Sequence, residues 1–419
     1  MAAEAKGGEA SPRPHLRRYF ALDAFRGLAA VAVAIFHFRW THPELSTWGI
    51  FERLVNLLDF FFVLGGFVLA HVYLAKLQPL GHFVWRRLAR LYPLHVFALV
   101  MFALLQLGKL LAESAGFATR HAAFEGMNAL NFVDSLLLLQ STGLLWHEIS
   151  WNYPSWTVST ELFAAAIVYA LAIRFGQRAL GPICVAIVVA SAVYMFVFAV
   201  EPRDYGPDAL IRTLYGLALG YLLYRLHTRF EFIRGPVWGT IAEVLAIAFV
   251  LLLVRSPATR PYWYLVTLGL AVVIYVFASE QGLISSAFKK LRLHHLGTAS
   301  YSIYLNHALI GIIFSKLYLT IAPNLGIVGV VSVAVYVPTF VLVLIVYSGL
   351  TLLYIEKPGH ALMMRVRSLV LARIRPPQPS PAYLARLERE LAPAGSHPSS
   401  SRPAASSGVK VPASTASAS

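Results

Sequence analysis

Long apolar runs separated by short polar loops dominate the sequence. Most of these runs are long enough to cross a bilayer as a helix, which takes roughly 17 to 25 residues. They lie near residues 20–38, 58–75, 88–108, 130–146, 156–173, 180–200, 208–224, 237–254, 261–279, 298–320 and 327–355. The pattern predicts an all-α fold, a polytopic membrane helix bundle with about ten transmembrane helices.

The fourth run is the exception, because it is short and polar at its start, where Asn131 and Asp134 lie. Lys and Arg collect in cytoplasmic loops, so their distribution indicates whether this run spans. If it does not, the later cytoplasmic loops contain Arg174, Arg178, Arg225, Arg229, Arg234, Lys289, Lys290 and Arg292, and the later outer loops contain Arg203, Arg255 and Arg260. If it spans, this distribution inverts. We therefore expect ten spans with both termini cytoplasmic, and a re-entrant or interfacial segment at residues 130–146.

Composition supports the membrane assignment and narrows the function. Of the 419 residues, 58% are hydrophobic and 13% are charged, against about 25% charged in soluble domains. The formal net charge of +15 does not indicate nucleic-acid binding, because the basic residues lie in loops between apolar runs. The single cysteine, Cys184, has no partner for a disulfide, and the sequence shows no metal-ligand spacing.

Three regions follow from the same pattern. Residues 1–19 are polar and basic without a cleavage site, which predicts a cytoplasmic extension rather than a signal peptide. Residues 20–356 hold the membrane domain. Residues 357–419 begin as a basic cytoplasmic flank and continue into a Pro-, Ser- and Ala-rich tail, which we expect to be disordered apart from a short helix in YLARLEREL.

The first apolar run carries Asp23, Arg26 and His37. Ionisable side chains inside a membrane helix cost about 2.5–3.5 kcal/mol each, so they are candidates for function. Asp23 lies three residues before Arg26 and can pair with it. Arg26 and His37 are eleven residues apart, which places them on one helix face about 16 Å apart along the axis. A structural ion pair and a histidine in interfacial water are the alternatives.

Other polar or small residues mark four further sites. Arg86, Arg87 and Arg90 suit the phosphates of an acyl-CoA or an anionic lipid, although anchoring at the cytoplasmic membrane edge also explains them. Gly65 and Gly66 lie inside the second run, where close helix packing is the favoured explanation. The remaining candidates begin the fifth run or lie within the run near 298–320, where capping or a hydrogen bond inside the bundle is the alternative to catalysis: Trp156, Ser159, Glu161, Tyr301, Tyr304, Asn306 and His307.

Five blocks of the sequence together resemble the acyltransferase-3 family of membrane acyltransferases, over residues 19 to 356. They are LDAFRGLAAVAVAIFHF, FFFVLGGFVLAHVY, RRLARLYPLH, PSWTVSTE and LGTASYSIYLNH, in the family's order. The family's arginine–histidine motif maps onto Arg26 and His37, and its RxxR motif maps onto Arg87 and Arg90. Its Trp-Ser-Leu-Ser-x-Glu block is similar to residues 156–161, with Thr157, Val158 and Thr160 as departures. At the position of Gly65 and Gly66, the family usually has a serine followed by a glycine.

The resemblance implies an O-acyltransferase that moves an acyl group, usually acetyl, from acyl-CoA to a hydroxyl of an envelope or secreted glycan. Acyl-CoA is a co-substrate on the cytoplasmic side, no cofactor is bound permanently, and the lipid bilayer and a glycan or glycolipid are the partners. We expect His37 to act as general base beside Arg26 and Glu161. The residues expected to hold the CoA phosphates are Arg86, Arg87 and Arg90. Those expected to support the substrate or the structure are Asp23, Trp156, Ser159, Tyr304 and His307.

Several alternatives stay open on the sequence. Glu161 can orient His37 or bind the sugar, Arg26 can bind the pantetheine or stabilise the thioester oxygen, and transfer can be direct or proceed through an acyl-histidine. A transporter or flippase of a cell-envelope glycolipid would also place ionisable residues inside the bundle. A catalytically inactive sensor or scaffold is the third interpretation. The identity of the acceptor and the length of the acyl group are not encoded in recognisable residues.

Overall fold

The structure, a computed structural model, describes residues 17–38, 51–117, 122–144, 149–201, 206–230, 232–255, 263–327 and 329–374. The segment before residue 17 and the tail beyond residue 374, including YLARLEREL, lie outside the described residues, so the expectations for them stay predictions. The chain divides into two compact units, residues 1–365 and 366–419. Within the second unit, residues 366–374 are helical.

The described residues form helices joined by turns, without a strand among them, as the all-α prediction requires. We number the α-helices in chain order: α1 Phe20–Phe38, α2 Leu57–Leu69, α3 Leu80–Ser114, α4 Ala129–Leu136, α5 Trp156–Val197, α6 Pro207–Arg229, α7 Pro236–Arg255, α8 Tyr264–Ser279, α9 Leu283–Lys290, α10 His294–Thr298, α11 Ser300–Ile321, α12 Gly329–Thr351 and α13 Lys357–Ile374. A 3-10 turn, Phe51–Asn56, precedes α2 and a π turn, Ala70–Leu74, follows it.

The helix lengths agree with a multi-span membrane protein. Within the described residues, seven helical stretches are long and apolar enough to cross a membrane, and α8 with α9, bent by 70°, adds an eighth. The 42 residues of α5 would measure about 63 Å as one rod, twice the roughly 30 Å hydrocarbon core. Its helix breaks at Gly176, whose φ is 75°, so its two halves can cross separately. Counting both halves and the 23-residue α6, which is not among those apolar stretches, is roughly consistent with the ten predicted spans.

The fourth apolar run does not cross, as expected. Its helix, α4, has eight residues and would be about 12 Å long. The helix is shorter than the predicted segment because Leu138, Ser141 and Gly143 adopt positive φ and end it. Asn131 and Asp134 are buried, so α4 packs into the bundle with its polar side chains covered by protein.

The prediction was incomplete at two places beyond this run. Helix α3 begins at Leu80, eight residues before the predicted run, and therefore includes the arginine cluster. Helix α13, Lys357–Ile374, occupies the region predicted as a basic flank. Both stretches mix apolar with basic residues, so they fall below the hydropathy of a span while keeping good helix formers.

Large apolar side chains on the outer surface of the bundle are exposed rather than buried. The exposed fraction is 57% for Val189, 68% for Leu252 and 54% for Val346. A soluble protein rarely exposes a continuous apolar surface of this kind. The lipid chains of a bilayer are the solvent that such a surface requires.

Glycines bring α2 and α6 into backbone contact. A Cβ added to Gly66 would lie 1.9 Å from the carbonyl oxygen of Leu217, and one added to Gly220 would lie 1.9 Å from that of Val63. Each helix therefore presents a glycine to the backbone of the other, the small-residue packing that is typical of membrane helices. The geometry therefore supports close helix packing as the reason for a glycine at position 66.

Similar contacts fix the register of α1 against α10 and α11. A Cβ on Gly297 would lie 1.9 Å from the carbonyl oxygen of Asp23, and one on Gly311 would lie 2.0 Å from the ring of Phe38. The two contacts lie at opposite ends of α1. They align the side chains between them, Arg26 and His37 among those on α1.

Replacing Gly66 with Ala should destabilise the protein strongly. The added methyl group meets a backbone carbonyl that no rotamer change can move, and overpacking of this kind costs roughly 1–3 kcal/mol or more. The measurement is the apparent melting temperature of the purified protein in detergent.

Gly108→Ala is the matched control, because Gly108 lies inside α3 with no atom within 4 Å of an added Cβ. We expect it to be neutral or stabilising by up to about 1 kcal/mol. Equal effects of the two substitutions would contradict the glycine-packed interface.

Candidate active site

A cavity of about 140 Å³ opens between α1, α2, α3, α5 and α11. Phenylalanine, leucine and valine side chains form much of its wall. The polar and glycine residues that line it are Arg26, Gly65, Tyr73, Arg87, Arg90, Thr157, Glu161, Ser300, Tyr301 and Tyr304. Residues that are far apart in the sequence thus meet at one place, and five of them are predicted site residues.

The charges around the cavity do not balance. Among the described residues that line it, three are arginines and one, Glu161, is acidic. Nη1 of Arg87 lies 3.0 Å from Oε1 of Glu161, so these two form an ion pair. Arg90 forms no ion pair or hydrogen bond with any described residue. The cavity therefore carries excess positive charge and can accept an anion.

Arg26 is held by the main chain. Its Nη2 donates to the carbonyl oxygen of Gly297 at 2.6 Å and lies 3.7 Å from Oδ1 of Asp23. The carboxylate of Asp23 makes a shorter contact, 2.8 Å, with Nε of Arg18. Asp23 thus links two arginines at the start of α1 and does not itself line the cavity.

Gly65 has a different role from its neighbour. A Cβ at this position would lie 3.2 Å from Oε1 of Glu161, inside the cavity rather than at a helix contact. The partner of Glu161 is Arg87, so the described geometry gives no support to the alternative in which Glu161 orients His37.

Arg86 lies outside the cavity and is exposed. Its guanidinium carbon is 5.5 Å from the centre of the Tyr73 ring, and Tyr73 lines the cavity. Arg86 therefore lies at the rim of the cavity, next to the ring of Tyr73.

His37 and His307 form a pair beyond the cavity. Their rings stack with centroids 4.9 Å apart and an interplanar angle of 28°, and the ring of Tyr153 lies 5.1 Å from His37. Nδ1 of His307 contacts the carbonyl oxygen of Tyr304. Because a carbonyl can only accept, this nitrogen carries the proton and Nε2 of His307 keeps its lone pair when the ring is neutral. Nε2 is buried without a hydrogen-bond partner among the described residues.

Trp156 and Ser159 pack rather than face the cavity. The ring of Trp156 meets Phe62 edge-on at 6.2 Å. The hydroxyl of the fully buried Ser159 donates to the carbonyl oxygen of Leu138. These contacts join α5 to α2 and to the turn after α4.

Known proteins similar to this chain identify its class. The profile of the acyltransferase-3 family, described as an acyltransferase domain, matches residues 19–351. The chain belongs to this family. It is also 34% identical, over 195 residues, to "Protein 2 in picA locus" of Rhizobium radiobacter, an alignment that covers 44% of this chain and 96% of the relative. No solved structure matches significantly.

This acyltransferase contains a buried ion pair that the sequence reasoning missed. Nε of Arg212 donates to Oδ1 of Asp59 at 2.8 Å and Nη2 to Oδ2 at 3.2 Å, and both side chains are 1% exposed. The guanidinium also stacks 4.6 Å above the ring of Trp263. The signal was present, since each is an ionisable residue inside an apolar run. Asp59 is next to Leu58, a cavity residue, so the pair supports that wall.

Glu356 is a second missed residue of the acyltransferase. It ends the last apolar run, is 8% exposed, and accepts a hydrogen bond from the hydroxyl of Ser302 at 2.7 Å. It lies within electrostatic range of Arg26 and Arg90 without lining the cavity.

Replacing one residue of the Asp59–Arg212 pair should destabilise the protein more than replacing both. Asp59→Leu or Arg212→Met alone leaves one buried charge without its partner, which costs about 3–5 kcal/mol. The double variant leaves none and should be more stable than either single variant. Apparent melting temperatures of the four proteins in one detergent measure this, and a double variant that shows the sum of both losses would contradict the pairing.

Proposed function

We propose that this acyltransferase moves a short acyl group, acetyl first of all, from acyl-CoA to a hydroxyl of an envelope or secreted glycan. The observation that carries the proposal is the surplus of guanidinium groups around the cavity, with Arg90 lacking an ion-pair partner among the described residues. Arginine forks match phosphate and developing oxyanion geometry better than a diffuse charge does.

The size of the cavity supports a short acyl group. An engineered protein cavity of about 150 Å³ holds one benzene molecule, and this cavity has nearly the same volume, about 140 Å³. It can take an acetyl or similar group with the end of the pantetheine arm. The nucleotide of CoA must then lie outside, where Arg86 stands behind Tyr73 at the rim.

In this proposal, each of the cavity arginines has its own role in binding the acyl donor: Arg26, Arg87 and Arg90. Arg90 would bind a donor phosphate or the thioester oxygen, since it forms no ion pair or hydrogen bond with a described residue. Arg87 is fixed by Glu161 and presents its charge in one orientation. Arg26, held by the carbonyl of Gly297, would bind the pantetheine arm, because it lies about three helical turns before His37 on α1.

The histidine pair supplies the base. In direct transfer, His37 takes the proton of the acceptor hydroxyl, whose oxygen bonds to the thioester carbon while the carbon–sulfur bond breaks and CoA leaves as a thiol. In the two-step form, His37 first accepts the acyl group and then passes it to the hydroxyl. Both forms need His37 unprotonated at the start.

The donor and acceptor approach from opposite sides in this proposal. Arg26 lies six residues from the cytoplasmic start of α1, and His37 lies one residue from its other end. Acyl-CoA would enter from the cytoplasm and the glycan from the outer face of the cytoplasmic membrane, with both chain termini inside, as the Lys and Arg distribution predicts.

The purified full-length protein, supplied with acetyl-CoA labelled in the acetyl group and an envelope glycan extract, should transfer label to the glycan and release CoA thiol in equal amounts. Arg90→Ala should raise the apparent KM for acetyl-CoA about tenfold or more, the effect of losing a charged hydrogen bond. Turnover at saturation should fall less.

Arg234→Ala is the matched control, because Arg234 is an exposed arginine on the loop before α7 and should leave the KM unchanged. Arg90→Lys separates charge from shape, since lysine keeps the charge and loses the fork. Label that stays entirely in acetyl-CoA with the wild-type protein would refute the proposed function.

A further inference from the structure

Tyr304 belongs to both halves of the site. Its side chain lines the cavity, and its ring lies 5.5 Å from the ring of His307. Of the rings that contact the histidine pair in the part of the chain that the structure describes, Tyr304 is the one that also lines the cavity. The residue is 7% exposed, so other residues surround it closely.

The histidine pair lies next to the cavity without lining it. Neither His37 nor His307 lines the cavity, and His307 is fully buried. Tyr304 is therefore placed where an acyl group bound in the cavity would meet its ring on the way to His307.

A hydrogen bond to a cavity residue helps to hold the tyrosine on the cavity side. Oγ1 of Thr157 donates to the hydroxyl of Tyr304 at 3.0 Å, and Thr157 also lines the cavity. The same Oγ1 is 3.2 Å from the carbonyl oxygen of Pro154, so the threonine hydroxyl has a second acceptor to which it can turn. The bond to the tyrosine can thus break without leaving the threonine unsatisfied.

We propose that Tyr304 is a partition between the donor cavity and the histidine pair, latched by Thr157, and that it moves aside when an acceptor is in place. The proposal rests on the proposed function and adds what limits the reaction to the correct acceptor. Closed, the ring keeps water near the histidines from a bound thioester. Open, it lets the acceptor oxygen reach the thioester carbon.

Loss of the partition should divert the acyl group to water. In that side reaction the oxygen of water bonds to the thioester carbon, the carbon–sulfur bond breaks, and the products are the free carboxylic acid and CoA thiol. In transfer, the ester and CoA thiol form together. The ratio of free acid to ester, after subtraction of the acid that forms without protein, therefore reports the partition.

The test uses the purified full chain, acetyl-CoA labelled in the acetyl group, and the glycan extract. Free acetate and glycan ester are measured by mass spectrometry. Tyr304→Ala should raise the ratio of acetate to ester at least about tenfold, because water reaches the thioester. Tyr304→Phe keeps the ring and removes the latch, so its ratio should rise by about fivefold or less, the effect of one neutral hydrogen bond.

Thr157→Val removes the same hydrogen bond from the other partner with little change of shape. It should match Tyr304→Phe, and it keeps the proposal testable if Tyr304→Ala does not fold. Variants that all show the wild-type ratio, at whatever total rate, would overturn the partition. A wild-type protein that forms no ester would instead overturn the proposed function, and this proposal with it.

Discussion

A charge inside a membrane bundle needs a partner, a main-chain acceptor or a wet cavity, because the lipid offers none of these. Charges around the site meet these conditions in different ways, and one of them, Arg90, is exposed. Asp59 and Arg212 neutralise each other, and Arg26 donates to a main-chain carbonyl. Arg90 has neither among the described residues and lies at the cavity. The need to accommodate charge inside the bundle therefore accounts for both the cavity and its surplus positive charge. A bound anion would neutralise that charge.

Close packing of glycines makes that arrangement rigid. Gly66 and Gly220 join α2 to α6, while Gly297 and Gly311 set the register of α1 against α10 and α11. The second pair of contacts places Arg26 beside Gly297 and His37 beside His307. Arg26 at the cavity and His37 beside His307 thus lie about 16 Å apart along the axis of α1. A bundle packed by long side chains could not hold that register as tightly.

Much of the fold could be predicted from the sequence, since apolar runs and the positions of Lys and Arg report directly on membrane spans. The fourth run was predicted not to cross, and α4 is too short to do so. The ends of α3 and the existence of α13 were missed, because those stretches mix basic and apolar residues. The helical propensity of a stretch can be estimated from its own residues. A hydropathy threshold that detects membrane spans, however, does not detect the amphipathic ends of a helix.

Several residues that line the cavity could be singled out from the sequence, whereas their grouping could not. Arg26, Arg87, Arg90 and Glu161 were singled out because they are charges in or beside apolar runs, and they meet at one cavity. The partner of Glu161 depends on how α3 and α5 cross, which no spacing within one helix reveals. The ion pair between Asp59 and Arg212 escaped for the same reason, although each residue alone broke an apolar pattern.

The central claim is that chemistry occurs at His37 while the donor binds elsewhere, and His37→Gln tests it most directly. Glutamine keeps hydrogen bonding but cannot take up a proton or an acyl group at neutral pH. We expect turnover to fall about a hundredfold or more, the usual contribution of a general base. The apparent KM for acetyl-CoA and the melting temperature should stay near the wild-type values, because His37 does not line the donor cavity. Near-native turnover would contradict the account and make His307 the base to examine.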